Sequence, residues 1–194
     1  MPKVNAAYKD EVRRRILTAA REVFAKKGWD KTSMDDIAQK LGSSRGGLYL
    51  YFHNKEEIFS AITKLGQEQL GDLLRTSFAK RDLVDGAEVF FETVSSRGKD
   101  HLRIDFDYFA QATRNPQFGQ LLKKHYEAHV ATIVDFIEEQ RAHRRVRPEI
   151  EPRSAAIRMF ALFNGLMINV LLGVDESAMR REWVRSVRQL LVTD

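Results

Sequence analysis

Apolar residues recur along this chain at intervals of three and four, and the pattern predicts an all-α protein. Its sharpest stretch is residues 32–55, TSMDDIAQKLGSSRGGLYLYFHNK. Met34, Ile37, Ala38 and Leu41 fall at i, i+3, i+4 and i+7, one stripe on a two-turn helix. Thr32 and Ser33 are placed to cap its start, and Asp35 and Asp36 to reach back toward the positive helix end. Gly42 suits a left-handed stop. Ser43 or Ser44 then caps a second helix, expected to run to about Phe52, with Leu48 and Phe52 packing on the Met34 stripe. Arg45, Gly46, Tyr49 and Leu50 are left facing outward. Two short helices across a tight turn form a helix-turn-helix, which places its second helix in the major groove of DNA. Gly46 and Gly47 in the first turn of that helix cost about 1 kcal/mol each relative to Ala. The expected return is close approach of backbone to DNA.

The same periodicity places the other helices. One runs from about Tyr8 to Lys27, with Val12, Ile16, Ala20, Val23 and Phe24 inside, and Trp29 packs back on its last turn beyond Gly28. The few residues before Tyr8 are expected to form a mobile basic arm. A fourth helix starts at Asn54, where Asn54 and Glu57 resemble a capping box, and Ile58, Ile62, Leu65 and Leu73 mark its inner face. This helix leaves the DNA-reading part and is expected to link it to the rest. Five more follow: one through Leu83, Ala87, Phe90, Phe91 and Val94, one through Leu102, Phe106, Phe109 and Ala110, and then about 116–143, 153–172 and 176–192. That makes about nine in all. The division predicted is a DNA-binding domain over 1–53 and a regulatory domain over 54–194.

Charge strengthens the reading. Residues 1–52 carry 11 Lys and Arg against 6 Asp and Glu, whereas residues 53–194 carry 21 of each, so the formal net charge of +5 sits with the helix-turn-helix. A basic part beside a neutral one is the footprint of a nucleic-acid binder. There is no Cys, hence no disulfide and no thiol nucleophile. No phosphate-binding Gly-rich loop and no G-x-S-x-G motif occur, so an enzyme is not expected and no cofactor is implied. His125 and His129 stand four apart in HYEAH, which lacks the Glu of a zinc protease helix and has no evident third ligand. The N-terminus lacks the apolar core of a signal peptide, and the expectation is a cytoplasmic protein.

Thr32, Ile37-Ala38, Gly42, Ser44-Arg45-Gly46, Leu48-Tyr49, Tyr51-Phe52, Lys55-Glu56 and Ile58, with the lead-in Val23-Phe24-Ala25, Gly28 and Trp29, resemble the signature of the TetR family of bacterial transcriptional regulators. The resemblance runs from Ile16 to Phe59; beyond it only length and helical pattern agree. It implies a sequence-specific regulator, a repressor in the commoner mode, released from its operator by a small molecule. Together with the outward geometry it sets Arg45, Gly47, Tyr49 and Leu50 nearest the bases, Arg45 on a guanine and Leu50 on a thymine methyl. Thr32, Ser33, Ser44, Tyr51 and Lys55 are expected on phosphates. Leu50 and Tyr51 depart from the common family pattern, which is less apolar at the first and often His at the second.

The run MFALFNGLMINVLL at 159–172 is apolar nearly all round, yet shorter than the roughly 20 residues of a membrane span. Such a helix is expected to be buried on every side, partly by a second copy. The dimer surface predicted comprises Phe160, Ile168, Leu171 and Leu172 with Trp183, Val187, Leu190 and Leu191, the two helix pairs forming a four-helix bundle. Two-fold symmetry predicts a palindromic operator. A ligand pocket lined by Phe90, Phe106, Phe109, Tyr126, Phe163, Asn164 and Met167 would take a small hydrophobic effector, and a cationic one if Asp105 and Asp107 face it. The alternative to a ligand-released regulator is a protein-interaction module with a non-specific or vestigial DNA face.

Overall fold

The computed structural model describes residues 6–192, apart from the side chains of Ala6, Asp100, His101 and Asp105. The basic arm expected before Tyr8 falls largely outside them. The described residues form nine helices: α1 Ala6–Lys27, α2 Met34–Leu41, α3 Arg45–Tyr49, α4 Lys55–Phe78, α5 Leu83–Ser95, α6 Lys99–Ala112, α7 Pro116–Ala142, α8 Pro152–Leu171 and α9 Glu176–Leu191. No strand occurs among them. The second helix of the turn motif is shorter than its pattern suggested. Leu50 closes it, and Phe52 reaches the core from beyond its end.

The helices gather into two units that do not follow the linear division at residue 53. The first extends to Leu65 and takes in Arg103–His125; the second holds Gly66–Leu102 and 126–194. α4, α6 and α7 therefore each pass from one unit into the other, so α4 is not the sole connection.

In the first unit, Ile16, Ala20 and Phe24 of α1 meet Ile37 of α2, Leu48 of α3 and Ile58 and Phe59 of α4 in one core. Ile104, Tyr108, Phe118 and Leu122 from the α6–α7 hairpin complete it. Trp29 stacks on Phe118 at 4.5 Å between ring centroids, and Phe59 meets Phe118 and Tyr108 edge-on at 4.8 and 4.9 Å. Two amides bind the hairpin to the α1–α2 turn. Gln111 Oε1 accepts from the Trp29 amide at 2.6 Å, and Asn115 Nδ2 donates to Asp30 Oδ1 at 3.0 Å.

In the second unit, α9 packs against α5 and α8. Trp183 donates its indole N–H to the Ala87 carbonyl at 2.9 Å, and Phe163 lies between Phe90 and Trp183 with centroids 5.2 and 5.0 Å away. Trp183, Val187 and Leu191 are thus buried within the single chain, at 2%, 1% and 0% exposure. This corrects their assignment to a subunit surface: the α9 stripe is consumed by α5 and α8. α8 is not buried all round either. Ala155, Ala156, Met159, Leu166, Met167 and Val170 face inward, whereas Ile168 is 42% and Leu172 76% exposed. Phe160, Leu171 and Leu190 are half-buried. At 20 residues α8 is long and apolar enough to cross a membrane by length and composition, contrary to the shorter apolar run read from the sequence, and six of its residues are buried in the core of this unit.

Candidate nucleic-acid interface

Local hydrogen bonds shape the turn motif. Ser33 Oγ accepts from the Asp36 amide at 3.2 Å, and the Asp36 carboxylate takes the Ser33 amide at 2.9 Å, a closed capping box. Lys27 Nζ reaches the same carboxylate at 2.5 Å. The Lys27 ammonium, with the Ser33 amide and hydroxyl, lowers the Asp36 carboxyl to about 2. Gly42 ends α2 at φ 70°, where its lack of a Cβ avoids the usual penalty. Ser44 then caps α3, accepting from the Gly47 amide at 3.1 Å.

The two glycines of α3 differ in their surroundings. A Cβ on Gly47 would sit 2.7 Å from Ser43 Oγ, an exposed hydroxyl that must turn aside to admit a side chain there. A Cβ on Gly46 would meet nothing within 4 Å, and only there does the expectation of open backbone beside DNA stand unopposed by the fold.

Arg45, Tyr49 and Leu50 form the outward edge. Leu50 is 84% exposed, with no packing role in the chain. Arg45 spans the turn to Asp35, Nε to Oδ1 at 3.2 Å and Nη1 to Oδ2 at 3.3 Å, and Nη2 donates to the Tyr49 hydroxyl at 3.4 Å. The Tyr49 hydroxyl and the Asp35 carboxylate both raise the affinity of the guanidinium for its proton. Tyr49 is half-buried, its ring partly against the core.

The side chains expected on phosphates are mostly engaged by the chain itself. Thr32 is a correction. It is 3% exposed and donates to the Gly28 carbonyl at 2.7 Å, so it holds the turn from within. Lys55 lies over the Trp29 ring at 4.7 Å and donates to the Trp29 and Thr32 carbonyls at 2.8 and 3.3 Å. Ser33 and Ser44 are spent as caps, and Tyr51 packs partly on the core. Arg13 of α1 covers the Phe52 ring at 4.5 Å and donates to the Tyr51 carbonyl at 3.5 Å. No local spacing signals that contact. The expected Asn54–Glu57 box is half formed: Asn54 Oδ1 takes the Glu57 amide, while the Glu57 carboxylate takes the His53 amide.

The expected pocket residues are dispersed. Phe106 and Phe109 belong to the first unit; Phe90, Tyr126, Phe163, Asn164 and Met167 belong to the second. Phe90 and Met167 are buried in close packing, and Asn164 donates to the Phe160 carbonyl of its own helix at 2.7 Å. Tyr126 meets Phe160 edge-on at 5.3 Å. Asp107 is exposed on α6, and the Asp105 side chain lies outside the described residues. Among the described residues no three His, Cys, Asp or Glu gather as a metal site, and His129 lies edge-on to Phe160.

Comparison with known proteins gives concordant results. Residues 16–62 match the bacterial regulatory proteins of the tetR family, and residues 81–192 match the C-terminal part of BetI-type transcriptional repressors. The chain is similar to the HTH-type transcriptional regulator YfiR of Bacillus subtilis, 29% identical over 182 residues that cover 91% of this chain and 88% of the relative. Its fold is similar to that of GusR from Salmonella enterica, with TM-score 0.78, 25% identity and coverage of 97% and 98%. A transcriptional regulator from Saccharomonospora viridis in complex with choline shares the fold at TM-score 0.70 and 23% identity, covering 95% of this chain and all of that one. With a capped helix-turn-helix at its N-terminal end and a family match over more than half its length, the chain belongs to the TetR family of bacterial transcriptional regulators, which act on DNA rather than as enzymes.

Proposed function

We propose that this regulator is a cytoplasmic homodimeric repressor that binds a palindromic operator and leaves it when a small hydrophobic effector binds. The observation that carries the reading is the outward edge of α3. Arg45 and Leu50 are exposed on a helix whose caps and glycines leave its backbone open, in the part of the chain that holds the net positive charge. Arg45 reads a guanine, Leu50 a thymine methyl, and Tyr49 orients the arginine. The Gly46 backbone approaches phosphate, and so does the Ser44 hydroxyl, whose cap bond uses it only as an acceptor.

A second copy of the chain covers the exposed row Ile157, Ile168, Leu172 and Val174 at α8. Ile157, Ile168 and Leu172 follow helical spacing on a face that the chain's own core leaves open, and Val174 lies just past the helix end, which suits an isologous interface. Each dimer then offers two α3 edges to half-sites about 34–36 Å apart or a multiple of that.

The effector acts on the second unit and shifts the population toward a dimer unsuited to the operator. Phe90, Tyr126, Phe163, Asn164 and Met167 supply the apolar lining once their packing opens. The choline complex of the related fold supports a cationic effector as one option. The test is selection of bound duplexes from a randomised pool at two salt concentrations. An enriched palindrome whose affinity falls steeply with salt is expected. Weak salt-sensitive binding with no enriched sequence would instead favour an interaction protein with a non-specific DNA face.

A further inference from the structure

Over residues 53–194 positive and negative charges balance in number, but the second unit does not spread them evenly. A cavity of about 700 Å³ is lined by Lys80, Arg81, Arg145 and Arg188 and by one carboxylate, Asp82, with buried Leu83 among its apolar residues. All four cations are exposed. The carboxylate beside them, Asp82, is already engaged, since it caps α5 by accepting from the Val84 and Asp85 amides at 2.8 and 2.9 Å. No ion pair joins any of the four to an acid among the described residues.

Purely structural duties leave most of their donors over. Arg81 Nη1 closes the end of α4 on the Thr76 and Ser77 carbonyls at 3.3 Å each, and Arg145 Nη1 donates to Gln140 Oε1 at 3.3 Å. That is one nitrogen of each guanidinium. Lys80 and Arg188 make no side-chain hydrogen bond among the described residues. Arg147 close by shows the contrast: its Nη2 is turned onto the Gln189 and Leu190 carbonyls at the end of α9.

We propose that this cavity is a binding site for a small polyanion, a molecule carrying two or more phosphate or carboxylate groups. Three guanidinium forks and an ammonium around one opening match such oxygens bidentately, and like charges so grouped repel until a counter-charge enters. The volume lies within the range of small-molecule sites. The site shares no residue with the apolar effector lining or with the α3 edge, and it does not depend on either.

Calorimetric titration of the full chain with tripolyphosphate and with citrate, at about 0.15 M salt, tests it. One saturable site per chain is expected for at least one probe, weakened about tenfold or more in the R145Q/R188Q double variant, with duplex binding unchanged. Preference for tripolyphosphate marks a phosphorylated ligand, and preference for citrate a polycarboxylate. Absence of saturable binding by both probes, or equal binding by the double variant, overturns the proposal. The melting curve shows whether the double variant folds; if it does not, K80Q and R188Q singly carry the same comparison.

Discussion

Arg45 and Asp35 form a two-point ion pair across the turn of the helix-turn-helix, with Nε–Oδ1 and Nη1–Oδ2 at 3.2 and 3.3 Å. A guanine offers the same guanidinium two acceptors in a similar fork. On the proposed base-reading role of Arg45, Asp35 must yield the arginine when a guanine takes it. Arg45→Ala is expected to weaken operator binding about ten- to a hundredfold and to relax selection at one base pair, with an unchanged melting temperature. Asp35→Asn is expected to bind as tightly as the unaltered chain or tighter. Duplex titration of both variants decides it, and an R45A variant with normal affinity and selection would end the arginine's assignment.

Acid should release the start of α2 late. The Asp36 carboxyl is held at about 2 by Lys27 and by the Ser33 amide and hydroxyl, against an unfolded value near 4. A depressed folded pKa gives stability that is whole above the unfolded value and lost as pH falls toward 2. Thermal melts of the unaltered chain and of Asp36→Asn should differ by a constant amount above about pH 5 and converge between about pH 4 and 2. Parallel curves over the whole range would contradict this.

The hairpin clamp makes a stability prediction. Gln111→Ala leaves the Trp29 amide without its acceptor, at a cost of about 1–3 kcal/mol in denaturant unfolding. Gln111→Glu keeps an acceptor and should recover most of the loss. Asn115→Ala removes both the Asp30 contact and the cap on the Phe118 amide, worth about 1 kcal/mol. If Q111A and Q111E unfold alike, the hydrogen bond is not what holds the hairpin.

The apolar residues of α8 and α9 should separate by effect. Ile168→Asp and Leu172→Asp act on exposed side chains, so the variants are expected to fold and sediment as monomers. Trp183→Ala removes a buried ring and its bond to Ala87, and should cost about 3–5 kcal/mol in any assembly state. A native assembly that persists in L172D/I168D would place the subunit contact elsewhere.

About nine helices, caps at 32–33 and at 43–44, the Gly42 stop and the outward Arg45 and Leu50 could all be read before folding; the described residues form nine helices, capped at Ser33 and Ser44 in the turn motif. Each depends on residues within a turn or two of one another, and helical periodicity reports that range. Periodicity names the face that is buried but not what buries it. The stripe of Trp183, Val187 and Leu191 looked the same whether α5 or a second chain covered it. Only tertiary contact assigned residues 103–125 to the DNA-reading unit, turned Lys55 inward onto the Trp29 and Thr32 carbonyls, and gathered Lys80, Arg145 and Arg188 around one cavity. Those pairings join positions tens of residues apart, where shape, charge and unmet hydrogen bonds choose among partners that the local pattern makes equivalent.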